Sequence, residues 1–204
     1  TDGERDGASR RERASFLGEL RDARWSGWKE DLEAAAQWLA GRLGAPLYLL
    51  GLRTGALLAL DFARARPDIA GIVLWQPVVS GDAFLTQLLR LKLAGGMLGA
   101  DGAASTAALR EALAAGETLE IGGNEISGGL AADLGEQDLR KLAPHACPVH
   151  WFELVADPGR PMPPAAARIA DAWRTDGVAL GASTLPGPPF WSTQEIAECE
   201  ALLE

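Results

Sequence analysis

The chain has 204 residues, of which 48% are hydrophobic, and its formal net charge is −9. This length is enough for one compact domain with a substantial core. The acidic balance argues against a nucleic-acid partner, because binding phosphates needs a basic face. No apolar run reaches the roughly 20 residues that a membrane span requires, so we expect no association with membranes.

The start of the chain and the two cysteines bear on location and cofactors. Residues 1–6 contain no apolar signal segment. Cys147 and Cys199 are not spaced like metal ligands or a disulfide framework. We therefore expect reduced thiols in a cytoplasmic protein that uses no metal and no other cofactor.

Helical and extended patterns alternate along most of the chain. Residues 1–22 are charged and contain no apolar run, which predicts a disordered or remnant head. The expected helices cover 25–43, 56–66, 84–98, 106–115, 164–173 and 193–203, and the expected strands cover 46–50, 71–76, 149–155 and 178–185. Strands separated by helices predict βαβ units and an α/β fold with a mostly parallel sheet. A short hairpin at 118–121 and 124–126 is expected around the Gly122-Gly123 pair.

A glycine motif joins the first strand to the second helix. The segment Gly51-Leu52-Arg53-Thr54-Gly55 has the frame G-x-S-x-G of a nucleophile elbow, but arginine stands where that motif has its nucleophile. In the motif, a buried strand enters a sharp turn that exposes one side chain at the start of a helix. The sequence therefore predicts the strand, turn and helix of a nucleophile elbow, but the nucleophile itself is missing.

The order of elements resembles the second half of an α/β-hydrolase fold. The resemblance places the nucleophile position at Arg53, a helical cap insertion at 80–133, the acid position at Asp157 and the histidine position in the loop 186–191. The strands that precede these elements in the family are missing from 1–22. We therefore expect 23–204 to be the C-terminal part of such a domain, with the N-terminal part truncated, replaced or supplied by another chain. The alternative is a complete small α/β domain.

Four sequence segments resemble one particular family of α/β-hydrolase-like proteins. The sequences GLRTGALLAL at 51–60, LWQPVVSG at 74–81, FLTQLLR at 84–90 and GPPFW at 187–191 resemble the exosortase A system-associated hydrolase family, second type. That family consists of bacterial hydrolase-like proteins found beside exosortase genes. The resemblance implies an α/β-hydrolase fold and a setting of envelope protein sorting with exopolysaccharide production, but it implies no particular ligand.

The residues at the triad positions argue against ordinary serine-hydrolase catalysis. Arg53 cannot be a nucleophile, because a guanidinium stays protonated. The loop 186–191 contains no histidine, and His145 and His150 flank Pro148 at the opposite end of the predicted sheet. Asp157 remains at the acid position, where a role in the Asp-Pro-Gly turn explains it equally well. We expect a pseudoenzyme.

Other hydroxyl and acidic residues near the motif have structural explanations. Thr54 lies one position too late to point into a pocket, so we expect it to cap the helix. Ser80 and Asp82 fit a turn into the cap, and Ser192 fits the N-cap of the last helix. None of these residues gives a constellation of converging groups.

Two interpretations of Arg53 remain open. A guanidinium above a helix N-terminus can bind a carboxylate or phosphate through two hydrogen bonds, with Trp75, Gln76 and Trp191 lining the same pocket. Thr54 is a further candidate for ligand binding at the start of the helix. It can instead form a salt bridge to Asp157. We expect an acyl or anionic ligand without triad chemistry. The alternatives are an ester or thioester hydrolase with a non-standard site, and a non-catalytic interaction scaffold. The unpaired edge of the strand 46–50 would suit a protein partner or a homo-oligomer.

Overall fold

The computed structural model describes residues 19–96 and 105–192, together with Cys199 and Leu202. Its residues divide into two compact units. We call them the helical unit, which contains residues 19–28 and 82–136, and the sheet unit, which contains residues 29–81 and 137–202. Most of the predicted head and most of the predicted helix at 193–203 lie outside the described residues.

The sheet unit contains four parallel strands: β1 (Leu47–Leu52), β2 (Ile69–Trp75), β5 (Val149–Val155) and β6 (Leu180–Pro186). They lie side by side in the order β1-β2-β5-β6. Its helices are α1 (Trp25–Leu43), whose first turn belongs to the helical unit, α2 (Thr54–Ala63) and α6 (Pro164–Thr175). The mostly parallel α/β architecture predicted from the sequence is confirmed. Because the strands are parallel, the loops that follow their carboxyl ends meet at one edge of the sheet.

Apolar side chains from strands and helices form the core of the sheet unit. Leu57 and Leu60 of α2 are fully buried, as are Leu74 of β2 and Trp151 of β5. The ring of Trp151 lies 5.6 Å from that of Trp173 on α6. The burial of large side chains on both strands and helices is the main favourable term that holds these elements together.

Strand β1 lies at the edge of the four-stranded sheet, and no further strand pairs with it among the described residues. Its Tyr48 and Leu50 side chains are 63% and 59% exposed. Unpaired apolar edges of this kind favour pairing with another chain unless something covers them. The expectation of a partner at this edge stays a prediction.

The helical unit is built from α3 (Gly81–Gly96), α4 (Thr106–Ala114), the hairpin β3 (Thr118–Ile121) and β4 (Asn124–Ser127), and α5 (Gly128–Gly135). Its core is an apolar cluster that includes Leu85, Leu89, Leu113, Ile126 and Leu130. The predicted hairpin is confirmed, and Gly122 and Gly123 both adopt positive φ angles, of 57° and 80°. Such angles suit the tight turns that join antiparallel strands.

Helix α5 was not predicted from the sequence. It begins with Gly128 and Gly129, which are poor helix formers. The Ser127 hydroxyl accepts a hydrogen bond of 3.2 Å from the Leu130 N–H and so caps the helix. Leu130 and Leu134 are buried, which shows that packing outweighs the local glycine penalty.

No helix among the described residues is both long enough and apolar enough to cross a membrane. Cys147 and Cys199 are free and buried. Burial raises the pKa of the Cys147 thiol above its usual value, which makes this residue a poor nucleophile at neutral pH.

The two motif glycines differ in what surrounds them, and this difference generates a prediction. A Cβ added to Gly51 would lie 2.5 Å from the Ala56 Cα, whereas one added to Gly55 would meet nothing within 4 Å. We expect Gly51→Ala to lower the free energy of unfolding by about 3 kcal/mol through overpacking against backbone. Gly55→Ala should leave it unchanged or raise it by up to about 1 kcal/mol, because alanine is the better helix former.

Urea unfolding followed by circular dichroism measures both values. Equal effects of the two substitutions would contradict the close approach of β1 and α2 at Gly51.

Candidate functional site

The turn between β1 and α2 has the strained backbone of an elbow. Arg53 occupies it with φ 54° and ψ −118° and is the N-cap position of α2. Its N–H donates to the Trp75 carbonyl at 3.0 Å, and its carbonyl accepts from the Val78 N–H at 3.2 Å. A non-glycine residue in such a conformation costs about 1–3 kcal/mol and persists only where its surroundings hold it. Here the end of β2 and the loop that follows it hold the turn from both sides.

The Arg53 side chain is half-buried and has few partners. Its Nη1 donates a single long hydrogen bond, 3.3 Å, to the Gln76 carbonyl. Its guanidinium carbon lies 5.4 Å from the centre of the Trp191 ring, within the range of a cation–π interaction. Among the described residues, no carboxylate comes within ion-pair distance of this guanidinium. Most of its five donors therefore remain available to a ligand.

The alternative salt bridge between Arg53 and Asp157 is wrong. The Asp157 side chain is 79% exposed, and its described ion-pair partner is Arg160, at 4.0 Å. Asp157 follows β5 in an Asp-Pro-Gly turn, where solvent screens its charge. The two loops are thus not tied together by these charges.

Gln76 forms a second strained position beside the elbow. Its φ is 43°, and β2 ends at Trp75, one residue earlier than predicted. The Gln76 N–H donates to the Phe152 carbonyl at 2.7 Å, and its side-chain Oε1 accepts from the Leu154 N–H at 2.6 Å. These bonds fasten the end of β2 to β5, and they orient the Gln76 carbonyl that contacts Arg53.

Aromatic rings form one side of the site. Trp191 contacts Phe190 edge-on with ring centres 5.1 Å apart, and Phe190 contacts Trp75 edge-on at 6.4 Å. Trp191 and Phe190 belong to a short 3-10 helix, Phe190–Ser192, in the loop after β6. Apolar walls with a few polar groups are typical of small-molecule sites.

Glu153 is the charged residue of this region that sequence reasoning missed. It is only 2% exposed, and its Oε1 accepts a 2.8 Å hydrogen bond from the Trp151 indole. Burial raises the pKa of its carboxyl to about 7, although the Trp151 hydrogen bond and the positive charge of Arg53 both lower it. The sequence carried a signal, because Glu153 alternates with Val149, Trp151 and Val155 on the buried face of β5.

Arg53 and Glu153 influence each other across the site. Burial lowers the pKa of the Arg53 guanidinium, and the Glu153 charge opposes that change. Because arginine starts from a very high value, Arg53 remains protonated at physiological pH. Glu153, in contrast, changes its charge near neutrality, so the net charge of the pair is pH-dependent.

The other candidate residues do not join this cluster. Thr54 is the first residue of α2 rather than its cap, because Arg53 holds the cap position and makes no side-chain cap hydrogen bond. Ser80 forms an isolated bridge with Asp138, and Asp82 pairs with Arg110 within the helical unit. The Ser192 hydroxyl donates to the Pro189 carbonyl at 2.9 Å. The helix that it was expected to cap lies outside the described residues.

The histidines lie away from Arg53. His150 is the second residue of β5 and is exposed, and His145 is exposed in the loop before that strand. Both are at the amino end of the strand, while Arg53 and Gln76 follow carboxyl ends. Within the described ranges, no group of three or more His, Cys, Asp or Glu side chains is placed to hold a metal ion. The cluster of Arg53, Gln76 and Trp191 is suited to binding an anion.

Comparison with solved structures supports the fold assignment. The sequence matches no protein-family model and no curated protein. Its structure is similar to the α/β hydrolase GrgF from Penicillium sp. sh18, with a TM-score of 0.52 and 14% identity over 90% of this chain and 70% of that one. It is also similar to the esterase domain of a Rhodothermus marinus protein, with a TM-score of 0.50 and 18% identity over 83% of this chain.

The chain spans 61% of the length of that esterase domain. At these identities the similarity concerns the fold alone. Together with the parallel sheet and the elbow between β1 and α2, it leads to one conclusion. This chain has an α/β-hydrolase fold.

Proposed function

We propose that the chain binds an acyl or other anionic ligand through Arg53, at a degenerate triad that no longer performs hydrolysis. The observation that carries this proposal is the half-buried Arg53 guanidinium, which makes one hydrogen bond, of 3.3 Å, to the described residues. A buried cation normally has strong partners, since removing it from water is costly. A carboxylate that accepts two parallel hydrogen bonds would supply them.

Two further features favour an anion with an apolar group. The Trp191 ring beside the guanidinium offers an apolar contact surface. Helix α2 begins directly after Arg53. The free N–H groups at the N-terminus of a helix interact favourably with negative charge. A fatty or branched carboxylate would satisfy both features.

The absence of a conventional triad from the sequence supports binding rather than turnover. Arg53 cannot attack a carbonyl, because its guanidinium stays protonated. No histidine occurs between Pro186 and Trp191 in the sequence, where the fold would place the general base. Hydrolysis by this site would need a nucleophile and a base that the region around Arg53 does not bring together.

The resemblance of four segments to the exosortase A system-associated hydrolase family suggests the biological setting. We place the protein in the bacterial exosortase and exopolysaccharide system, in the cytoplasm. There it would bind an acyl or anionic compound, and a protein partner or second copy could cover the β1 edge. This setting rests on the sequence resemblance alone.

The binding proposal predicts a direct effect on Trp191. We expect butyrate to shift the indole N–H resonance of Trp191 in the nitrogen-15 spectrum, and Arg53→Gln to weaken this binding at least tenfold. The uncharged analogue butyramide should give no shift, because it cannot form the ion pair. Arg160→Gln is the matched control, since it removes the same charge from an exposed loop residue.

An unchanged butyrate affinity in Arg53→Gln would overturn the proposal. So would equal binding of butyramide, which would indicate an apolar site in which the guanidinium plays no part.

The coupling to Glu153 predicts a pH dependence. As the pH rises through about 7, Glu153 becomes negatively charged and competes with an anion for the Arg53 charge. We expect sulfate, whose own charge is constant over this range, to bind about fivefold more weakly at pH 8.5 than at pH 5.5, for an interaction on the order of 1 kcal/mol. Glu153→Gln keeps the acceptor for the Trp151 indole and should abolish this dependence.

Titrations of sulfate at the two pH values, again followed on the Trp191 indole, measure the effect. A dependence that persists unchanged in Glu153→Gln would assign it to another group.

The loss of hydrolysis is tested with a panel of acyl esters and thioesters. We expect no turnover above the buffer rate for the wild-type protein, for Arg53→Ala or for Asp157→Asn, with folding verified by circular dichroism. Turnover that disappears in either variant would show that the site catalyses hydrolysis with a non-standard set of residues. If the protein shows no turnover and also does not bind butyrate, the interaction scaffold is favoured.

A further inference from the structure

A cavity in the sheet unit lies beside α6. Its volume is about 380 Å³, which is within the range of small-molecule sites. Apolar side chains form most of its wall, among them Val79, Ala165, Ile169 and Trp173. Arg53, Gln76 and Trp191 do not line it, so the cavity is separate from the site proposed above.

Two guanidinium groups also line this apolar space. Arg140 is held in place by Asp138, whose Oδ1 accepts a 2.8 Å hydrogen bond from the Arg140 Nε. Arg168 has no hydrogen bond or ion pair with any described residue. Because Asp138 neutralises Arg140, Arg168 supplies the uncompensated positive charge of the cavity. In a chain with a net charge of −9, a local positive charge in a cavity favours an anionic ligand.

Trp173 adds a third feature. Its side chain is 2% exposed, and its indole Nε1 is a buried donor for which the described residues offer no acceptor. An unsatisfied buried donor costs about 1–3 kcal/mol, and native proteins contain few of them. By contrast, the neighbouring Trp151 indole donates to Glu153. The unpaired donor thus belongs to a residue that forms part of the cavity wall.

We propose that this cavity is a binding site for a small aromatic or branched aliphatic carboxylate. The apolar group packs against Val79, Ile169 and the Trp173 ring, and the carboxylate pairs with Arg168. The apolar wall and the uncompensated arginine together select an amphipathic anion over inorganic phosphate, which would gain nothing from the wall.

Phenylacetate is the probe for this proposal. We expect it to shift the Trp173 indole N–H resonance, assigned by triple-resonance spectroscopy, and to leave the Trp191 resonance much less affected. Arg168→Gln should weaken the binding at least tenfold. This variant should fold normally, since Arg168 is exposed and makes no hydrogen bond or ion pair with the described residues. Phenylacetamide and inorganic phosphate should each bind at least tenfold more weakly than phenylacetate.

Two further variants locate the site. Ala165→Leu adds volume to the cavity wall and should reduce the affinity while leaving the charges unchanged. Arg174→Gln is the matched control on the same helix, because Arg174 pairs with Asp171 at 3.1 Å and does not line the cavity. We expect this control to keep the wild-type affinity.

The proposal fails if Arg168→Gln binds phenylacetate as tightly as the wild type does, or if the Trp173 resonance does not respond. It also fails if Arg53→Gln abolishes phenylacetate binding, because the anion would then occupy the elbow. If the Trp173 resonance does not respond to phenylacetate, the proposal for Arg53 still stands, because it is tested separately by the response of Trp191 to butyrate.

Discussion

The approach of strand β1 to helix α2 at the elbow is the constraint on which the candidate site depends. At Gly51 there is no room for a side chain between the strand and the Ala56 backbone, so the chain must turn within two residues. The turn forces Arg53 into a left-handed conformation, and backbone hydrogen bonds from Trp75 and Val78 hold it there. The Arg53 side chain is consequently held at the edge of the sheet where loops from three strands meet.

The energetic consequence is a half-buried positive charge at the elbow. The α/β-hydrolase elbow presents a serine in the motif G-x-S-x-G, whereas here the turn presents a long cation next to aromatic rings. Burial disfavours the charge on Arg53, and the nearby Glu153 partly compensates for it. The two groups do not come close enough to form an ion pair, so the positive charge of Arg53 is only partly compensated. An anionic ligand at Arg53 would complete the compensation.

Helix α6 supplies most of the wall of the other candidate site, the cavity beside it. Helix α6 packs Trp173 against Trp151 on the buried face of β5. Arg168 stays on the outer side of the helix, next to the apolar residues that line the cavity. Each proposed anion site thus joins an apolar aromatic surface to an arginine that has no ion-pair partner among the described residues. They differ in how the arginine is held, by a strained backbone at Arg53 and by a regular helix at Arg168.

Much of the fold was predictable because the local patterns agree with the tertiary structure. The alternation of apolar strands and amphipathic helices predicted the parallel sheet, and the strand at 149–155 and the hairpin residues 118–121 match the structure residue by residue. Helix α5 was missed because its stabilisation comes from buried Leu130 and Leu134 rather than from helix propensity. The candidate site was predictable in part, since the glycine motif placed Arg53 at the elbow. Gln76 and Trp191 were also predicted beside Arg53, and both contact it. The buried Glu153 was missed, because it lies 100 residues further along the chain.

The sequence by itself determined the order of strands and helices, the elbow turn and the replacement of a nucleophile by arginine, since these follow from spacing and residue type. The sequence also predicted Gln76 and Trp191 beside that arginine. Only the tertiary structure decided how these residues contact it and which charged groups lie near it. It directed Asp157 into solvent and brought the Gln76 carbonyl, the Trp191 ring and the Glu153 charge to Arg53. It also left Arg168 and the Trp173 indole, both at one cavity, without hydrogen-bond partners among the residues that the structure describes. The physical reason is that these contacts and desolvation costs join residues far apart in sequence, and no local pattern encodes them.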